Sequence, residues 1–139
     1  SETLQPALAA EGLDCVFLVA PTTSLERARR MGEVGSGYLY YVSLKGVTGS
    51  AALDVDAVDA RLQELRSVVD LPIAVGFGIR TAVHAGQIAA VAEGVVVGSA
   101  LVERIAAAKD APQSLPAILR DAVAELRSGI VSSSDGGKA

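Results

Sequence analysis

Two glycine-containing turns are the parts of this sequence best suited to chemistry. Gly76-Phe77-Gly78 follows the apolar segment Ile73–Val75, and Gly98-Ser99 follows Val95–Val97. Glycine lets the backbone approach a ligand closely and adopt a positive φ, and backbone N–H groups at the start of a helix bind phosphate well. A single Gly-x-Gly turn has a steric explanation about as often as a functional one. Two such turns after successive strands favour an anion site.

These turns need parallel strands to position them, and the hydrophobic pattern predicts four. Short apolar or β-rich runs begin near residues 15, 38, 73 and 95. Helical periodicity covers about 3–11, 25–33, 56–68, 81–92, 100–107 and 115–128. Strand and helix alternate four times, which is typical of an α/β fold with a parallel sheet. We assign residues 1–131 to this domain and predict that the polar residues 132–139 form a disordered tail.

Two architectures fit this alternation. Four strands can form a self-contained doubly wound sheet, or one half of a (β/α)8 barrel, whose complete form takes about 250 residues. The turns favour the half barrel, because barrel enzymes often bind phosphate at the loops after their last two strands and at a short extra helix. Here the last two strands end in glycine turns, and the predicted helix over about 100–107 is the extra one.

Composition excludes several other classes of protein. Of 139 residues, 50% are hydrophobic and 20% are charged, with a net charge of −4 and no Lys/Arg cluster, so we expect no nucleic-acid binding. No apolar run reaches the roughly 18–20 residues that span a bilayer, so we expect no membrane insertion. The lone Cys15 cannot form an internal disulfide and fits a reducing cytoplasm. With one His and one Cys, we expect no metal site. We also expect no cofactor.

Four segments of the sequence resemble the second half of tryptophan synthase alpha chains. Cys15–Thr23 is similar to the fifth strand of that barrel and the turn after it, and Tyr38–Gly49 to the sixth strand and its loop. Pro72–Ile79 resembles the seventh strand with its phosphate turn, and Gly94–Val102 resembles the eighth. Order and spacing match from residue 1 to about 130. The resemblance implies the C-terminal half of a TIM barrel, strands five to eight. It also implies a lyase that cleaves indole-3-glycerol phosphate to indole and glyceraldehyde 3-phosphate.

The resemblance also implies roles for individual residues. Those that would hold the phosphate are Gly49, Gly78, Gly98 and Ser99. Those that would line the indole pocket are Phe77 and Tyr40, with Val42 beneath them. Thr48 would help to close the sixth loop over the substrate by bonding a catalytic aspartate. An aromatic and aliphatic pocket beside a backbone anion site suits a ligand that carries an indole at one end and a phosphate at the other.

The catalytic acid and base of that family have no counterpart in the matched segments. They are a glutamate on the second strand and an aspartate in the following loop, and we expect a longer parent sequence to carry them in about 110–130 residues upstream. The glutamates present here lie in or beside predicted helices, whereas Asp54 and Asp56 follow the sixth loop, where caps or solvated residues are expected. This chain alone is therefore predicted to be inactive.

Two further polar residues have ordinary structural interpretations. His84 lies on a predicted helix without an acid beside it, so we expect a surface or partly packed residue. Arg80 follows the first glycine turn, where it either assists the anion or is solvated at the start of a helix.

The expected partners and the competing functions also depend on the resemblance. Alpha chains pair with a pyridoxal-phosphate-dependent beta chain that receives indole, and much of that contact uses the half that is missing here. One alternative is a non-catalytic phosphate-binding half barrel, assembled as a homodimer that covers its open edges. Another is a different phosphate-binding barrel enzyme, against which the Gly46-Val47-Thr48-Gly49 loop and the aromatic sixth strand argue.

Overall fold

The computed structural model describes residues 4–43, 54–76 and 78–135, with side chains described as far as residue 132. Within these ranges, strands and helices alternate as the sequence predicts. The strands are β1 Phe17–Val19, β2 Leu39–Val42, β3 Ile73–Gly76 and β4 Gly94–Val96. The helices are α1 Leu4–Ala10, α2 Leu25–Val34, α3 Val55–Arg66, α4 Ala82–Ala89, α5 Ser99–Ala107 and α6 Leu115–Asp135, the last preceded by a 3-10 turn over Pro112–Ser114.

The order of the strands distinguishes between the two predicted architectures. The sheet runs β1-β2-β3-β4, and each neighbouring pair is parallel. Every crossover therefore moves one strand further in the same direction. A doubly wound sheet reverses direction at a switch point, whereas a (β/α)8 barrel keeps adding strands in sequence order. The described strands thus follow the barrel pattern, which confirms the half-barrel prediction.

The two faces of the sheet differ sharply in burial. Val19, Tyr41 and Val75 share one register line and point to the outer face, where they form the core together with residues of the helices. Tyr40 pairs with Leu18 and points to the inner face. Leu18 is 61% exposed and Tyr40 is only partly buried. A complete barrel fills its interior with layers of such side chains, so this inner face is one half of a barrel interior.

Short polar side chains begin three of the helices. The hydroxyl of Ser24 accepts a hydrogen bond from the Arg27 amide at 3.3 Å, and Asp54 accepts one from the Ala57 amide at 3.0 Å. The hydroxyl of Thr81 accepts one from the His84 amide at 3.2 Å. Each bond satisfies an amide that has no partner within the helix. The expected role of Asp54 as a cap is confirmed.

Strand β1 is shorter than the apolar run that predicts it. The strand predicted to begin near residue 15 begins at Phe17, and Cys15 precedes it as a partly buried residue. Its amide instead donates to the hydroxyl of Ser36 at 2.9 Å. This bond leads the chain into β1 alongside the segment that precedes β2.

Helix α6 is longer than predicted. It continues to Asp135, so residues 132–135 of the segment expected to be a disordered tail are helical. Close packing on α4 lets the helix continue through Gly129, which lies against the backbone of α4 at Ala82. This contact offsets the low helix propensity of glycine. Residues 136–139 lie outside the described residues.

A carboxylate ties together the elements at the N-terminal edge of the sheet. Glu93 Oε2 accepts from the Ile73 amide at 2.9 Å, while its Oε1 accepts from Arg66 Nη2 at 2.6 Å. The same Arg66 nitrogen donates to the carbonyl of Val91 at 2.7 Å. Burial alone would raise the pKa of Glu93, but the hydrogen bonds from Ile73 and Arg66 outweigh it and hold the pKa below its ordinary value of 4.5.

Replacing Glu93 by Gln is expected to lower the free energy of unfolding by about 1 kcal/mol at neutral pH. The expected loss is small because the Glu93 side chain is 45% exposed and solvent screens its charge. A carboxyl group whose pKa is lowered in the folded state stabilises the fold above its unfolded pKa, and that contribution is lost as the pH falls. Urea unfolding at a series of pH values should therefore show the two proteins converging below about pH 4.5. A difference that is constant with pH would contradict the role of the charge.

Candidate phosphate and substrate site

The strand register places both glycine turns at the same edge of the sheet. Val42, Gly76 and Val96 lie level with one another on β2, β3 and β4. Gly78 follows Gly76 by two residues, and Gly98 follows Val96 by two residues. Because adjacent parallel strands end side by side, the two turns are neighbours at the C-terminal edge. This is the edge at which barrel enzymes bind their substrates.

The backbone at each turn has a property that suits anion binding. Gly78 has a φ of +74°, in the left-handed region that favours glycine. Gly98 is the N-cap of α5, and a Cβ built on it would meet nothing within 4 Å. No side chain caps α5, and the first amides of a helix have no partner within the helix. The start of α5 therefore presents N–H groups, beginning at Ser99, beside open space.

Tyr40 and Val42 line the inner face of the sheet below the turns. Both are partly buried, and both belong to the register lines that point away from the helices. The ring of Tyr40 lies over Gly76, where a Cβ would stand 2.7 Å from Cε2 and 2.8 Å from Cζ. The absence of a side chain at Gly76 thus creates the space that the aromatic ring occupies.

Three of the residues that the resemblance singles out lie outside the described residues. They are Thr48, Gly49 and Phe77. The structure describes Tyr40, Val42, Gly78, Gly98 and Ser99, and brings these five to the inner face and the C-terminal edge of the sheet. The binding roles of all eight residues stay predictions.

Tyr41 is a core residue and does not face the site. Its side chain is 3% exposed on the outer face, where burial raises the pKa of its hydroxyl and the nearby Arg61 opposes that rise. Tyr41 thus faces the helices, whereas its neighbour Tyr40 faces the inner side of the sheet. His84 is a partly buried residue of α4, as predicted.

Arg80 and Glu103 form an ion pair that the sequence pattern did not reveal. Nη2 of Arg80 lies 2.5 Å from Oε1 of Glu103, and both side chains are 57% exposed. The pair joins the turn after β3 to helix α5. The two residues are 23 positions apart, so no local spacing could have predicted their contact.

A groove of about 590 Å³ opens beside the site at the free edge of β1. Its lining includes residues of the strand, of the following turn and of α2, among them Leu18, Ala20, Thr22, Arg27 and Met31. In the strand order of a barrel, this is the edge at which a preceding strand would pair.

Within the described ranges, no group of three or more His, Cys, Asp or Glu residues is arranged to hold a metal ion. None of the helices in the described part of the chain is both long and apolar enough to cross a membrane.

Comparison with known proteins agrees with the geometry. A family model for the tryptophan synthase alpha chain matches residues 1–130. The tryptophan synthase alpha chain of Methylococcus capsulatus is 52% identical over 122 residues, which are 88% of this chain and 46% of that protein. The alpha chain of Chromobacterium violaceum is 51% identical over 127 residues, which are 91% of this chain and 48% of that protein. The chain thus spans about half the length of the curated relatives it matches.

Solved structures give the same result. The crystal structure of tryptophan synthase subunit alpha from Legionella pneumophila superposes with a TM-score of 0.79 at 33% identity, covering 93% of this chain and 47% of that one. A tryptophan synthase structure from M. tuberculosis superposes with a TM-score of 0.71 at 33% identity, covering 91% and 44%. This chain belongs to the tryptophan synthase alpha chain family, as the family match over residues 1–130, the sequence identity and the superposition show.

Proposed function

We propose that this chain supplies the phosphate- and indole-binding half of a carbon–carbon lyase. The reaction would cleave indole-3-glycerol phosphate to indole and glyceraldehyde 3-phosphate. The observation that supports the proposal most strongly is the position of Gly78 and Gly98-Ser99, beyond the adjacent ends of β3 and β4. N–H groups at a positive-φ turn and at a helix start would hold the phosphate by charge-assisted hydrogen bonds. Gly49 would add another such group from the preceding loop.

The indole ring would lie against the inner face of the sheet, below the phosphate. Tyr40 and Val42 supply aromatic and aliphatic surface there, and Phe77 lies in the sequence between the two glycines of the β3 turn. An elongated ligand could then place its anionic end at the rim and its apolar end on the sheet, the arrangement typical of ligand pockets. Thr48 would help to close the loop over the bound substrate.

Acid–base chemistry would come from outside this chain. Three acids near the C-terminal edge already have partners: Asp54 caps α3, Glu26 pairs with Arg30, and Glu103 pairs with Arg80. Cleavage of the carbon–carbon bond needs carboxyl groups that reach the reacting atoms. In the family these are a glutamate and an aspartate of the other half of the barrel. We therefore propose that the chain alone binds substrate without converting it.

One titration tests this proposal. Calorimetry with indole-3-glycerol phosphate should show saturable binding to the chain, while an assay of the same sample for indole should detect no release. Binding no tighter than that of glycerol 3-phosphate would instead support the non-catalytic phosphate-binding alternative. Absence of binding of either ligand would contradict the proposed site.

Gly76→Ala tests the contact between Tyr40 and the indole end. The new methyl group would overlap the tyrosine ring, which can move because the inner face is open, so the fold should keep its stability. Affinity for indole-3-glycerol phosphate should fall about tenfold, the effect of one misplaced methyl group in an apolar pocket. Affinity for glycerol 3-phosphate should not change. Tyr40→Phe, which keeps the ring, serves as the matched control. An equal loss of affinity for both ligands in the Gly76→Ala variant would contradict this assignment.

The partner and the cellular location follow from the family and stay proposals. We propose that the complete protein pairs with a tryptophan synthase beta chain and acts in the cytoplasm. Part of the contact surface for the beta chain would lie in the other half of the barrel, so this chain alone should bind the partner weakly.

A further inference from the structure

Helix α5 carries part of the proposed phosphate site, yet core packing does not hold it. No residue of this helix is buried. Val102 is 62% exposed and Ile105 is 42% exposed, while Ala100 and Leu101 are only partly buried. The position of the helix start must therefore depend on its link to β4, on its packing against α6 and on polar contacts with its neighbours.

Two consecutive residues of α5 provide such contacts in two directions. Glu103 pairs with Arg80 of the β3–α4 turn at 2.5 Å, and Arg104 pairs with Glu125 of α6 at 3.3 Å. Arg80 lies two residues beyond Gly78, and Glu103 lies about one helical turn beyond Ser99. The Arg80–Glu103 pair thus connects the two turns that would share the phosphate.

We propose that the Arg80–Glu103 pair is a positioning clamp, which sets the distance between the two groups of N–H donors around the anion. This inference rests on the proposed phosphate site and adds two positioning residues to it. Backbone donors stabilise an anion most when they are held in place before it arrives. In the structure Nη2 of Arg80 is engaged by the Glu103 carboxylate, and in the clamp this bond holds α5 in place. Both partners of the pair are then needed for tight binding.

A clamp and a purely electrostatic role of Arg80 predict different effects of removing Glu103 on anion affinity. If Arg80 acted mainly as a positive charge near the anion, removing Glu103 would free it and tighten binding. If the pair acts as a clamp, removing either partner weakens binding, and exchanging the two charges restores it. The three variants that distinguish these cases are Arg80→Ala, Glu103→Ala and the double exchange Arg80→Glu with Glu103→Arg.

Calorimetry of this chain with glycerol 3-phosphate tests the clamp. Each single variant should bind about two- to fivefold more weakly than the unmodified chain, the range expected for an exposed ion pair. The exchanged variant should bind within about twofold of it. Arg30→Ala is the matched control, because it breaks an ion pair with Glu26 on α2 and touches neither turn. The side chains of Arg30 and Glu26 are 70% and 68% exposed.

The other possible outcomes would overturn the clamp, the phosphate site or both. Tighter binding by Glu103→Ala, or unchanged affinity of both single variants, would overturn the clamp while leaving the phosphate site in place. A fall in thermal stability without any change in affinity would show a purely structural pair and also overturn it. Failure of the unmodified chain to bind glycerol 3-phosphate would refute the proposed site itself, and the clamp with it.

Discussion

Replacing Gly98 by Leu is expected to abolish most of the affinity for glycerol 3-phosphate while leaving the fold intact. The side chain would enter the open space at the start of α5, where nothing lies within 4 Å of a Cβ. This is the volume that we assign to the phosphate. Loss of even one charge-assisted hydrogen bond costs about 1.5–3 kcal/mol. The affinity should thus fall by at least about tenfold, since 1.4 kcal/mol corresponds to a factor of ten.

Gly98 is a better position for this test than Gly78. The φ of Gly98 is −117°, which any residue adopts, whereas the φ of +74° at Gly78 would strain a larger residue and confuse binding with folding. Ala106→Leu places the same side chain at an exposed position on the same helix and should bind normally. Affinity by calorimetry and the urea midpoint give the two readouts. Unchanged affinity of the Gly98 variant would place the anion elsewhere.

Among alanine substitutions of the described glycines, Gly129→Ala is expected to cause the largest loss of stability. Its Cβ would overlap the Ala82 carbonyl oxygen, which belongs to backbone and cannot move aside as a side chain can. On the facing helix, a Cβ at Gly86 would stand 2.6 Å from the Gly129 carbonyl oxygen. Overpacking of this kind costs about 1–3 kcal/mol and sometimes more.

A loss of stability in Gly129→Ala would be informative, because helix propensity alone predicts a gain. Glycine to alanine inside a helix stabilises it by about 1 kcal/mol when nothing is nearby. Urea unfolding should therefore show a loss for Gly129→Ala and a small gain or no change for Ser128→Ala, an exposed neighbour on α6. Gain in stability at Gly129 would mean that α4 and α6 do not cross as described.

Local patterns were enough to predict the alternation of strands and helices. Unbroken apolar runs of the kind at 15–20 and 95–97 occur in strands covered by helices, and the caps at Ser24, Asp54 and Thr81 are local signals. The half barrel itself was favoured by the two glycine turns and the extra helix. The hydrophobic pattern does not indicate the direction in which successive strands are added to the sheet. The structure shows it in the parallel strand order β1-β2-β3-β4.

Contacts between distant residues account for what the sequence did not reveal. A glycine such as Gly129 predicts the end of a helix when it is considered alone, but here it allows two helices to approach. The sequence around Glu93 does not indicate its hydrogen bonds to Arg66 and Ile73, which are 27 and 20 positions away. The space that Gly76 leaves for Tyr40 likewise depends on the pairing of β2 with β3. Such interactions become visible only when the register of the sheet is known.

The proposed site requires that N–H groups at the ends of β3 and β4 hold a phosphate. Amide resonances of ¹⁵N-labelled chain, followed by NMR during titration with glycerol 3-phosphate, test it most directly. We predict saturable shifts of the Gly78, Gly98 and Ser99 amides with one common dissociation constant, and no such shifts with glycerol. Shifts confined to other residues, or absent from these three amides while ligand binds, would contradict the proposed site.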